Sequence, residues 1–126
     1  MSSLRAGEWE RFESTFPGGT FQPFASGVIL VRTGSLALPP GWSKAETIVR
    51  FLVPIGYPAA QPDCFWADAD LTLAGGSPPA SSAIQQIPET GEPVLWFSWH
   101  PQTWQPSKDD LISYGHFALA RLHDVR

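Results

Sequence analysis

Proline and glycine punctuate this chain more closely than long regular elements tolerate. Thirteen prolines and eleven glycines stand among 126 residues, about 19% of positions against a typical sum of roughly 12%. Proline removes a backbone donor and fixes φ, and glycine costs extra entropy to order, so helices of bundle length are excluded. Short elements joined by shaped turns remain. The length fits a single domain over residues 1–126. Hydrophobic residues at 43% against charged residues at 16% place it with packed globular chains rather than disordered ones. Six tryptophans and eight phenylalanines supply large apolar area in few positions.

The charge balance narrows the partners. Formal net charge is −4, Lys44 and Lys108 are the only lysines, and the arginines are scattered. Nucleic-acid affinity comes mainly from clustered positive charge, so that class is set aside. No run approaches the roughly 18 apolar residues of a membrane span, and the opening MSSLRAGEWERFE lacks the apolar stretch of a secretion signal. Cys64 stands alone, without a disulfide partner in the chain. The expectation is a cytoplasmic protein that engages neither membrane nor nucleic acid. His100, His116 and His123 lack ligand-type spacing, and one cysteine does not complete a structural zinc site, so neither metal nor cofactor is expected.

Periodicity sets the order of elements. Trp9, Phe12 and Phe16 recur at helical spacing within a short helix over Ser3–Phe16, with Glu8, Arg11 and Glu13 facing water and Pro17-Gly18-Gly19 stopping it. Val28–Val31 and Thr47–Val53 are β-branched apolar runs, the first ended by Thr33-Gly34 and the second by Pro54. Three prolines between Pro54 and Phe65 make a rigid turn, followed by a short core strand, Cys64–Trp66. Residues 74–93 are rich in Gly, Ser and Pro and read as an exposed loop, long enough for a functional flap. Val94–Trp99 returns to apolar and aromatic residues. Ser107 then caps a last helix whose buried stripe is Leu111, Tyr114, Ala118 and Leu122, with Asp109 and Asp110 facing its dipole. His116 and His123 share a solvated face of that helix. Helices at the ends of an antiparallel strand run give an α+β class.

Two segments carry a resemblance. Pro54-Ile55-Gly56-Tyr57-Pro58, followed by Pro62 and Phe65, resembles the proline-rich turn and strand of the ubiquitin-conjugating (UBC) fold. Trp104-Gln105-Pro106 resembles the Trp-x-Pro that precedes that fold's final helix. More narrowly, Ser98-Trp99-His100 with Trp104, Pro106 and Asp109 or Asp110 is similar to the ending of a bacterial UBC-like family. The resemblance implies a meander with a loop-rich active-site segment between terminal helices. It also implies partners: a ubiquitin-like protein, an activating enzyme and a JAB-type peptidase, in a conjugation pathway with a role such as antiviral defence.

One departure shapes the chemistry. The UBC fold carries its nucleophilic cysteine shortly before the Trp-x-Pro, and here Val94–Thr103 contains none. Ser98 and His100 stand at i and i+2, which on extended backbone turns both side chains to one face. An imidazole there can take the serine proton, so that the hydroxyl accepts an acyl group as an oxyester. Asp110, or Asp109, is the candidate to orient the imidazole, although helix capping explains both acids equally well. The plainer reading is a surface serine and a histidine that fixes the loop. Cys64 is the alternative nucleophile, set against its place beside Phe65 and Trp66, where a free thiol packs as a small hydrophobe. Trp96, Phe97, Trp99 and Trp104 cluster as core or as a binding surface, and Tyr57, Trp99 and Trp104 are the binding candidates. Two functions follow: an acyl-transferring conjugating-type enzyme, or an inactive adaptor that binds the activating enzyme or the ubiquitin-like protein.

Overall fold

Alternation along the strands divides the molecule into two faces. In the computed structural model, which describes residues 4–126, the chain runs α1 (Glu8–Thr15), β1 (Thr20–Pro23), β2 (Ile29–Ala37), β3 (Glu46–Val53), β4 (Phe65–Asp68), β5 (Ser82–Gln86), β6 (Pro93–Phe97) and α2 (Leu111–His123). The strands form one antiparallel sheet in the order β1-β2-β3-β4-β6-β5. Val31, Phe51, Phe65 and Phe97 project from one face into a core shared with Phe12 of α1, with Phe16 just after that helix, and with Leu111, Tyr114, Ala118 and Leu122 of α2. Every member of the expected α2 stripe is fully buried. Gly115 belongs there too: a Cβ on it would lie 2.5 Å from the Phe16 ring, so its missing side chain lets α2 close on the residue that caps the C-terminus of α1. The result is the α+β layout expected of a UBC-like chain, an antiparallel sheet between an N-terminal and a C-terminal helix.

The opposite face is a thinner apolar layer of Leu30, Trp66, Ile87 and Val94, bordered by a charge network. Arg50 bonds Asp68 at 2.7 Å and Glu92 at 2.9 Å, Arg32 meets Glu92 at 2.8 Å, and Lys44 meets Asp68 at 2.7 Å. Burial alone would raise both carboxyls, but the hydrogen bonds from Lys44 and Arg50 to Asp68, and from Arg32 and Arg50 to Glu92, outweigh it. Both stay ionised below the usual carboxylate range.

Several expectations need correction. The first helix begins at Glu8 behind a left-handed Gly7, and Ser3 lies outside the described residues. Glu8 does not face water; it is fully buried, for a reason given below. β2 runs on through Thr33-Gly34 by a register shift between Arg32 and Ser35. β1 carries no apolar alternation, being exposed at all four positions. Residues 74–93 are not all loop, because β5 lies within them as an edge strand with Ile87 fully buried after it. An edge strand needs a partner on one side only, so five mostly exposed residues suffice and leave no periodic signal. Ser107 does not cap α2. Asp110 does, accepting from Ser113 N at 3.0 Å while the Ser113 hydroxyl accepts from Asp110 N at 2.9 Å.

Candidate functional site

The proline-rich corner and the Trp-x-Pro step meet directly. The Tyr57–Pro58 peptide is cis. Trp104 Nε1 donates to Pro58 O at 2.7 Å, and the Tyr57 and Trp104 rings lie 6.2 Å apart. Beneath them the buried Glu8 carboxylate accepts from the Tyr57 hydroxyl, from Leu111 N at 2.9 Å and from Arg5 N at 2.9 Å. That is why a glutamate leaves the water-facing side of α1: three donors, one of them an orphan N–H of the first turn of α2, need an acceptor. Burial, then the hydrogen bond to Glu8, pushes the Tyr57 hydroxyl far above its ordinary pKa, so it is a permanent donor. Tyr57, expected as a binding residue, is 3% exposed and holds the corner together. Trp104 is half-buried with its N–H committed.

The segment after β6 is different. Ser98 is exposed; its backbone N–H donates to Ser81 O at 2.7 Å, and its hydroxyl has no hydrogen-bond partner among the described residues. Ser98, Trp99 and His100 line one open cavity of about 270 Å³, floored by Phe117 of α2. The two candidate catalytic residues therefore border one cleft, without a hydrogen bond between their side chains. Trp99 is half-buried, stacked over the buried Arg121 guanidinium at 5.6 Å, which also sits 5.0 Å from the Phe97 ring. Of the four clustered aromatics only Phe97 is fully buried; the three tryptophans keep partial exposure.

The acid beside His100 is not Asp110, whose carboxylate is taken by the α2 cap, nor Asp109, which accepts from Gln105 N at 2.7 Å. It is Asp63, with Oδ1 at 3.8 Å from His100 Nδ1. Cys64 follows it, and donor atoms of Asp63, Cys64 and His100 all lie within 4.8 Å of one another. Asp63 carries little signal in the sequence, because 37 residues separate it from His100 and the adjacent Asp-Cys pair is its only local mark. Cys64 also differs from expectation. It precedes β4 rather than starting it, and lines a second cavity of about 360 Å³ with Leu52, Trp66 and Trp96. Burial pushes its thiol above the ordinary value and the Asp63 charge adds to this, against weaker opposing hydrogen bonds from the Trp99 backbone and Trp96. His116 and His123 are exposed on α2, as expected.

A broad, open depression of about 500 Å³ between α1 and α2, lined by Arg11, Ser14, Asp110 and His116 among others, contains none of Cys64, Ser98, Trp99 or His100. Among the described residues no helix is long and apolar enough to cross a membrane. A family model described as Prokaryotic E2 family E matches residues 17–123. No curated protein and no solved structure matches. The chain belongs to Prokaryotic E2 family E.

Proposed function

We propose that this bacterial E2-like protein is an acyl carrier, taking the C-terminal acyl group of a ubiquitin-like protein from an activating enzyme onto Ser98 and passing it to an amine. The observation that carries this reading is the shared cleft of Ser98 and His100, both exposed, at the end of β6. Ser98 Oγ attacks the activated carbonyl, His100 takes the hydroxyl proton, an ester forms and the activating enzyme's leaving group departs with a proton. In the return step the amine attacks the ester and Ser98 regains its proton. An extended tail can enter from the open side, because nothing among the described residues covers Ser98.

A second nucleophile has one observation in its favour: Cys64 Sγ lies within 4.8 Å of the nearest His100 and Asp63 donor atoms. The test separates the two. The chain is incubated with its cognate activating enzyme, ubiquitin-like protein and ATP. An adduct that survives reductant, is cleaved by hydroxylamine and is lost in Ser98→Ala supports the oxyester. An adduct cleaved by reductant and lost in Cys64→Ser moves the acyl group to the thiol. No adduct under any condition contradicts the carrier reading and leaves an adaptor, which the absence of cysteine from Val94–Thr103 favours.

A further inference from the structure

Asp63, Cys64 and His100 combine three kinds of metal-ligand atom at one point where two stiff segments cross. Cys64 Sγ is 3.8 Å from Asp63 Oδ1, His100 Nδ1 is 3.8 Å from the same oxygen, and all three donors fit within 4.8 Å. A tetrahedral ion with about 2.3 Å to sulfur and about 2.0–2.2 Å to nitrogen and oxygen holds its donors roughly 3.4–3.6 Å apart. Two of the three separations therefore need to shrink by only a few tenths of an ångström. We propose that Asp63, Cys64 and His100 form a three-ligand site for a divalent transition ion, best suited to Zn²⁺, with its fourth position open to solvent.

The scaffold supports this assignment. Prolines flank both contributing segments, Pro62 before Asp63 and Pro101 after His100. The fully buried Tyr114 donates its hydroxyl to Asp63 O, and Gln61 Nε2 donates to Pro101 O at 3.3 Å, tying one segment to the other. The side chains of Asp63 and His100 are 81% and 52% exposed, so the ion has a path in and both residues have room to adjust. Thiolate, imidazole and carboxylate together select zinc over the hard ions, which prefer oxygen alone. Binding replaces the Cys64 thiol proton with the metal and releases that proton to solvent. The ion would clip the turn before β4 to the segment after β6, at the wall of the cleft.

The test uses the reduced full chain and Co²⁺ alone, followed by displacement with Zn²⁺. It needs neither activating enzyme nor ubiquitin-like protein, so its failure and that of the acyl reading are distinguishable. Expected is one saturable equivalent with a thiolate-to-cobalt charge-transfer band and the intense visible absorption of four-coordinate cobalt, both removed by Zn²⁺. Cys64→Ser should abolish the charge-transfer band. His100→Ala and Asp63→Ala, both at exposed positions, should keep the native circular dichroism and weaken binding at least about tenfold, since even outer-shell partners are worth that much. No charge-transfer band in the parent chain overturns the site. Unchanged affinity in both His100→Ala and Asp63→Ala also overturns it, because a lone thiolate would then account for the signal.

Discussion

The Tyr57–Pro58 corner and the Ser98–His100 lip both belong to the sequence resemblance, and the fold treats them in opposite ways. At the corner the polar groups are committed to one another: the Tyr57 hydroxyl to Glu8, Trp104 Nε1 to Pro58 O, Leu111 N to Glu8. At the lip Ser98 and His100 are exposed and border an open cavity. A buried polar cluster is costly to disturb because each deletion strands a partner. An exposed pair is free to meet another molecule. The difference teaches that a motif of this kind can divide into a half that holds the fold and a half left open to other molecules, and that exposure tells them apart.

Substitutions can break or sharpen that contrast. The largest effect belongs to Glu8→Ala, which leaves the Tyr57 hydroxyl, Leu111 N and Arg5 N without their acceptor; a loss of about 3 kcal/mol in a denaturant titration is expected. A loss under about 1 kcal/mol would mean the corner is not closed. Next comes Arg50→Met on the outer face, expected to cost about 2 kcal/mol because Asp68 and Glu92 each lose a charge-assisted hydrogen bond while keeping Lys44 and Arg32. This site also sets an acid limit. Asp68 and Glu92 titrate lower folded than unfolded, so between the two values the unfolded chain binds more protons and stability rises with pH. The contribution is whole above about pH 5 and fades as pH falls through the folded values. Arg50→Met should flatten that slope between pH 5 and pH 3 in a thermal-melt series; an unaltered slope would remove the network from the account. Asp110→Ala deletes the α2 cap and should cost about 1 kcal/mol. Smallest are Ser98→Ala and His100→Ala, both within about 0.5 kcal/mol of the parent, as befits exposed side chains.

The sequence was legible where periodicity and burial coincide. Leu111, Tyr114, Ala118 and Leu122 announce a buried helical stripe, and Thr47–Val53 alternates as a strand whose every second residue enters the core. β5 was invisible because an edge strand exposed at four of its five positions has no alternation to display. Glu8 departs from its expected place for a different reason: spacing places a residue on a face but says nothing of what docks there, and Tyr57 and Leu111 N arrive from far along the chain. The site divides in the same way. Ser98 and His100 are neighbours in sequence and were found together, whereas Asp63 reaches His100 only through the fold.

The assignment of roles is tested most directly by adduct yield in two variants assayed side by side with activating enzyme, ubiquitin-like protein and ATP. Asp110→Ala, whose carboxylate serves the helix cap, should retain the adduct of the parent chain. Ser98→Ala, of near-parental stability, should lose it. The opposite pattern, with the adduct lost in Asp110→Ala and kept in Ser98→Ala, would contradict the proposed division between a structural helix cap and an acyl-carrying lip.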